Sequence, residues 1–190
     1  MFRYLFNLLT FFVLSITPAH LQANNNNQTL TDAIYQIEAN VIFMRHALAP
    51  GFGDPAHFDV NQCDTQRNLD DTGRVQAKFI GQYLKTEQLI FTDILSSQWC
   101  RCKETASELG LGDWHSFAGL NSFFQDHADR TETLALLSGK LDTIHENELV
   151  LMITHQVVIS AVTGHSTRSG GLILYNTSSG EALPFSIRDL

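Results

Sequence analysis

The sequence predicts an α/β domain with a mainly parallel central sheet. Short apolar runs of strand character recur along the chain, and stretches of helical periodicity alternate with them. The two strongest runs, Val41-Ile42-Phe43-Met44 and Leu149-Val150-Leu151-Met152-Ile153, are apolar at every position, as parallel strands covered on both faces are. Each then runs into polar residues that are costly to bury without partners, Arg45-His46 in the first case and Thr154-His155 in the second. Chemistry in open α/β sheets collects beyond the carboxyl ends of strands. Both histidines are therefore expected at strand tips, facing one site.

The chain begins with Arg3, an almost wholly apolar stretch from Leu5 to Ile16, and small residues at Thr17-Pro18-Ala19 and Leu21-Gln22-Ala23. This is the layout of a secretory signal peptide, too short to span a membrane, so residues 1–23 are set apart from the fold. Cleavage after Ala19 or after Ala23 fits equally, and the mature protein is expected to be periplasmic or secreted, without stable membrane insertion. Residues 24–190 then form a single domain with a full core.

Asn24 to Thr29 reads as a polar lead-in. Residues 30–38 predict a short helix entered through Thr31 or Asp32. The first strand covers Val41 to Arg45. Residues 47–61, with Pro50-Gly51 and Gly53-Asp54-Pro55, form a long loop of the kind that more often carries function than not. Residues 70–87 are an amphipathic helix, with Asp70 or Asp71 as cap and Val75, Phe79, Tyr83 and Leu84 on one face. Residues 92–95 are a second strand. Residues 100–109 follow as a helix stopped by Gly110. Residues 114–117 are a third strand, and 121–130 are irregular. Leu134, Leu137, Leu141 and Ile144 mark a helix face. Residues 157–162 are apolar all round and predict a buried helix stopped by Gly164. Residues 165–170 form a loop, 172–175 a strand, and 184–187 an edge strand.

Composition narrows the function. Hydrophobic residues make up 44% of the chain and charged residues 17%, with a formal net charge of -8. That is an ordinary globular composition, and its sign argues against nucleic acid or an acidic membrane surface as partner. A few arginines can still make one pocket positive. Of the three cysteines, Cys100 and Cys102 are too close in sequence to bridge easily, so in an oxidising compartment Cys63 is expected to pair with one of them, Cys102 being the preferred partner. Cys-x-Cys with a distant cysteine also suggests zinc, but no fourth ligand follows at finger-like spacing. No metal and no cofactor is therefore expected.

Arg45-His46, Arg101 and His155 supply two guanidinium forks and two imidazoles at three strand tips. Arginine holds phosphate through a planar bidentate fork, and neutral imidazole is a nucleophile whose second nitrogen can be fixed by a hydrogen bond. Taken singly, each has a plainer explanation: a hydrogen-bonded core histidine, or for Arg101 an ion pair with Glu104 or Glu108 on its own helix.

Four segments in order resemble the histidine phosphatase superfamily, the phosphoglycerate mutase-like group, branch 1. These are Met44-Arg45-His46-Ala47, the stretch Arg67-Asn68-Leu69 through Gly73 and Gln76-Ala77, Ser96 through Arg101 to Thr105-Ala106, and Ile153-Thr154-His155. The resemblance implies a three-layer α/β/α sandwich and metal-independent hydrolysis of a phosphomonoester or related phosphate through a phosphohistidine. It implies that His46 is the nucleophile and that Arg45, Arg101 and His155 bind the substrate phosphate, or inorganic phosphate. The chain departs from the family at the general acid. Where many members carry Glu or Asp, it reads Leu120-Asn121-Ser122-Phe123-Phe124-Gln125-Asp126. Asp126 is the nearest carboxylate and the assigned acid, with Asp54 as runner-up. Without an acid, substrates with good leaving groups remain accessible. The competing function is a non-catalytic phospho-ligand binding domain with the same pocket; a metal-dependent hydrolase ranks last.

Overall fold

The computed structural model describes residues 28–187; the leader read at residues 1–23 and its cleavage site lie outside them. Among the described residues the elements run α1 (Leu30–Ile37), β1 (Val41–Arg45), α2 (Asp71–Thr86), β2 (Asp93–Ser96), α3 (Cys100–Leu109), β3 (His115–Ser116), α4 (Arg130–Leu141), β4 (Val150–Thr154), α5 (Gln156–Thr163), β5 (Leu172–Tyr175) and β6 (Ala182–Phe185). The strand order is β3-β2-β4-β1-β5-β6. The four strands β3, β2, β4 and β1 are parallel, while β5 and β6 join antiparallel beside β1.

Side-chain alternation on the central strands builds three layers. Ile42, Met44, Leu151 and Ile153 pack with Leu30, Ala33, Ile80, Leu84, Cys102 and Ala106 on the face covered by α1, α2 and α3. Val41, Phe43, Val150 and Met152 pack with Leu137, Leu141, Val158 and Ile159 beneath α4 and α5. Both faces of β1 and β4 are covered, which is why these strands are apolar at every position.

Several elements differ from expectation for local reasons. Thr29, not Thr31 or Asp32, caps α1; its hydroxyl accepts from Asp32 N while the Asp32 carboxylate accepts from Thr29 N, a closed capping box. The α2 face against the core is Gly73, Ala77, Ile80, Gly81 and Leu84, whereas Val75 and Phe79 are exposed. Small residues face inward because the backbone elsewhere comes so close. A Cβ on Gly81 would stand 2.0 Å from the Leu109 carbonyl oxygen, and one on Gly73 2.0 Å from that of Leu48. In α5 only Val158 and Ile159 are buried, and Ala161 is exposed, so one face meets solvent. Strand β3 is trimmed to two residues. The last strand lies two residues earlier than expected and carries Pro184 on the sheet edge, where no ladder donor is needed.

The disulfide joins Cys63 to Cys100, not to Cys102. Two residues apart on a helix are about 200° apart around its axis, so only one of the pair can face the long loop. Cys102 faces the sheet, fully buried, with Sγ 3.8 Å from the Thr154 carbonyl oxygen.

The close helix contact has a signed consequence. Exposed helical glycine to alanine gains roughly 0.5–1 kcal/mol, and Gly139→Ala in α4, with open space around it, should do so. Gly81→Ala should instead lose about 1–3 kcal/mol through overpacking against α3. Urea midpoints of the two variants should move in opposite directions.

Candidate active site

Parallel pairing of β1 with β4 sets Arg45 opposite Thr154, so His46 and His155 leave the sheet side by side. The ladder continues one step, His46 N donating to the Thr154 carbonyl at 3.0 Å. The imidazoles end up edge to face, 5.4 Å between centroids, and both are buried. On the other side of β4, β2 runs through Ser96-Ser97 into α3, which brings Arg101 to the same edge.

The chain after β1 is held from beneath. Ala47 N donates to Thr105 Oγ1 and Leu48 N to Gln76 Oε1, while Gly73 lets α2 approach. Gly73, Gln76 and Thr105 thus support the turn that carries His46.

His46 Nδ1 lies 2.7 Å from the carbonyl oxygen of Ala47. A carbonyl only accepts, so Nδ1 carries the proton and the Nε2 lone pair is free to accept from Arg101 Nε at 3.2 Å. His155 is fixed the other way. Its Nδ1 accepts from Arg101 Nη2 at 3.3 Å, and its Nε2–H donates to Ser97 Oγ at 2.9 Å, with Ser97 donating on to Asn121 Oδ1. Burial first, then the Arg101 charge, holds both imidazoles well below the usual histidine range, so both are neutral.

Asp54, from the long loop, is the carboxylate at this site. It grips Arg101 with both oxygens, at 2.7 and 3.1 Å, and the two side chains are only 4% and 3% exposed. Its Oδ1 also accepts from Arg67 N and its Oδ2 from Trp99 Nε1. Burial pushes the Asp54 carboxyl upward, but the hydrogen bonds and charge of Arg101, with those N–H groups, outweigh it and leave it below the usual value. Glu104 and Glu108, the local ion-pair partners considered for Arg101, pair with Arg74 and Lys78 instead.

The resulting cavity, about 190 Å³, is lined by Arg45, His46, Asp54, Arg67, Arg101 and His155, with Phe52, Phe124 and Val157 at its apolar side. Arg45 binds Gln156 Oε1 and the Thr167 carbonyl but has a buried Nε–H without a protein partner. Arg67 reaches the carbonyls of Gly53 and Ala49. The structure therefore brings His46, His155, Arg45 and Arg101 together as expected by position.

It does not bring Asp126. That residue is exposed, in the 3-10 turn Phe124–Asp126 with φ +58°, and does not line the cavity. Its neighbour Gln125 reaches back instead, accepting from Asp54 N. Nor is Asp126 a helix cap; Asp129 caps α4. The third arginine, Arg67, and the Ser97–Asn121 relay were not assigned from sequence. Arg67 stood in the quoted Arg67-Asn68-Leu69 stretch, but a guanidinium in a loop has no periodicity to show where it points.

No family model and no curated protein matches this chain. Solved structures do. It is similar to the protein histidine phosphatase SixA complexed with tungstate, at 18% identity and a TM-score of 0.52, covering 77% of this chain and 94% of that one. A mycobacterial glucosyl-3-phosphoglycerate phosphatase complexed with VO3 aligns at 15% identity and a TM-score of 0.55, covering 77% and 97%. The product of an open reading frame of Mycobacterium tuberculosis aligns at 16% identity and a TM-score of 0.54, covering 77% and 95%. These likenesses establish a shared fold, the mixed α/β sandwich of the phosphoglycerate mutase-like histidine phosphatases.

Two outcomes follow for stability. The unfolded chain binds protons on His46 and His155 below about pH 6.5, where the folded chain does not. The unfolded state is then favoured as pH falls, so stability drops below that pH by up to about 1.4 kcal/mol per pH unit per histidine. Urea unfolding between pH 7.5 and 5.5 should show this slope, and His155→Gln should remove one histidine's share. Separately, Asp54→Ala strands a buried guanidinium and should cost about 3–5 kcal/mol, part of it regained in Asp54→Ala/Arg101→Met.

Proposed function

We propose that this chain is a histidine-type phosphatase that hydrolyses a phosphorylated small molecule through a phosphohistidine on His46, without a metal. The observation that carries the reading is the lone pair of His46 Nε2, directed at the same guanidinium that reaches His155. A nucleophile, a tautomer lock and charge-bearing donors meet at one point. Three guanidinium groups and one carboxylate line the cavity, a balance of two positive charges that suits a phosphate dianion.

In the proposed first step, His46 Nε2 attacks phosphorus while the ester oxygen leaves. Nδ1–H stays bonded to the Ala47 carbonyl and carries the charge that develops on the ring. Arg45, Arg67 and Arg101 stabilise the equatorial oxygens. In the second step water attacks phosphorus, and the bonding pair returns to Nε2. The arginines fill the electrostatic role that a metal takes elsewhere. Among the described residues no group of three or more His, Cys, Asp or Glu is placed to hold one ion.

The protein is read as exported, to the periplasm or beyond. The leader-like sequence supports this, and so does the Cys63–Cys100 disulfide, which suits an oxidising compartment. A phosphorylated substrate is supported by the similar structures, a phosphatase complexed with tungstate and another complexed with VO3.

His46→Ala should lower kcat by more than about 10⁴-fold while leaving the fold intact. Rapid quenching with labelled substrate should trap phosphate on the native protein that survives alkali and is lost in acid. Activity should withstand exhaustive chelation. Full activity of His46→Ala would overturn the reading.

A further inference from the structure

Beside its charged residues the cavity has an apolar edge. Phe52 stands at its rim, 88% exposed, and meets Phe124 edge to face with ring centroids 5.2 Å apart. A large aromatic side chain left in solvent beside a charged pocket is an informative exposure.

Phe124 is held there at a conformational cost. Gln125 and Asp126, the two residues after it, both have left-handed backbones, φ +60° and +58°, which non-glycine residues rarely adopt. The Gln125 side chain fixes this turn by accepting from Asp54 N, and it lies against Gly53. Phe52 and Phe124 thus come from two loops that are tied to each other at the backbone N–H of Asp54.

Among the described residues that line the cavity, no carboxylic acid or protonated imidazole is placed to protonate a leaving oxygen. Among the described residues Asp54 is the one carboxylate lining the cavity, and its two oxygens already accept four hydrogen bonds, from Arg101 twice, Arg67 N and Trp99 Nε1. That fills the acceptor capacity of a carboxylate. His155 turns a lone pair towards Arg101 and sends its proton away, to Ser97. Nor, among the described residues, does the cavity lining include a lysine or a free carboxylate to bind a charged leaving group.

From these two independent features we infer that the preferred substrate is an aryl phosphate monoester, whose leaving group is a phenol. This rests on the phosphatase reading and specifies its substrate. A phenol has a flat apolar ring for the Phe52–Phe124 edge, and it departs as a stable anion without an acid. In the first step the His46 Nε2–P bond forms and the P–O(aryl) bond breaks, its electron pair leaving as phenolate. Water at the open mouth protonates the phenolate. A second water then attacks phosphorus, the P–N bond breaks and its pair returns to His46 Nε2; the proton this water loses neutralises the hydroxide left by the first, and phenol and inorganic phosphate are released.

The test uses the purified protein with a series of ring-substituted phenyl phosphates, cyclohexyl phosphate, phosphoramidate and acetyl phosphate. Acetyl phosphate has a good leaving group and no ring. The kcat/KM values should rise steeply as the phenol becomes more acidic and should exceed that for cyclohexyl phosphate by at least a hundredfold. In Phe52→Ala and in Phe124→Ala the ratio of phenyl phosphate to acetyl phosphate kcat/KM should fall about tenfold, the worth of one aromatic contact. Free phosphotyrosine, a phosphotyrosine peptide and small phenolic phosphates then separate the sources of such a ring. A ratio unmoved by both substitutions, or a phosphoramidate turned over better than any aryl ester, overturns the aryl inference. If acetyl phosphate is still cleaved in a His46-dependent way, the phosphatase reading survives that outcome. If no substrate is cleaved and no phosphoenzyme forms, the phosphatase reading fails first.

Discussion

The site depends on the guanidinium of Arg101. Arginine has five N–H donors, and all five are used: Nε on His46 Nε2, Nη2 on His155 Nδ1, two on the Asp54 carboxylate, and one on the Arg67 carbonyl. The acceptors come from the tips of β1 and β4 and from the long loop between β1 and α2, so one buried cation sets the spacing of every part. A guanidinium only 3% exposed is tolerable because Asp54 neutralises it in bidentate geometry. The arrangement also sorts its two edges. Asp54 takes the Nη1/Nη2 end, and the Nε/Nη2 side faces the imidazoles. The longer bonds, 3.2 and 3.3 Å, go to neutral nitrogens. An anionic phosphoryl oxygen is a stronger acceptor than either, so a substrate can take that side while Asp54 keeps hold of the other.

For this to work the long loop must be a fixed wall. The disulfide ties Cys63 to the first residue of α3, and Gln66 Oε1 accepts from Cys100 N, supplying the helix start with an acceptor that the capping residue Trp99 lacks. Phe58 stacks between Trp99 and His127, at 4.9 and 4.4 Å. In a chain-entropy description, closing the 37-residue separation lowers the unfolded state's freedom by the equivalent of about 4 kcal/mol. The loop that carries Asp54 and Arg67 is thereby ordered before any ligand arrives, the condition for preorganised electrostatic stabilisation.

The strands that end at the site were legible because burial on both faces leaves no polar residue until the tip, so the sequence itself marks where Arg45, His46 and His155 emerge. The carboxylate was harder to read. Asp126 sits nearer in sequence to the position where an acid is expected, but its side of the 3-10 turn faces solvent, and the choice of Asp54 is made by a contact across 47 residues. The inward face of α2 was misread for a related reason. Periodicity counts large apolar residues, whereas a helix pressed onto backbone selects glycine and alanine, and Val75 and Phe79 are left outside. Cys100 and Cys102 show the same limit at shorter range: about half a turn of helix decides which thiol meets Cys63.

The buried imidazoles link stability to reactivity. Water is excluded from His46 because the tips of β1, β4 and α3 close around it, and that exclusion, reinforced by Arg101, keeps its proton count at one. A neutral ring with Nδ1–H spent on Ala47 has a single free lone pair, and the fold gives it a single direction. His155 has the same neutrality but the opposite tautomer, because Ser97 and Asn121 are placed to receive its Nε2 proton. Two histidines of the same charge state therefore differ in what they can do. One is fixed by the carbonyl of the next residue, the other by side chains from the end of β2 and the segment after β3, and which nitrogen keeps its lone pair follows from which one its partner occupies.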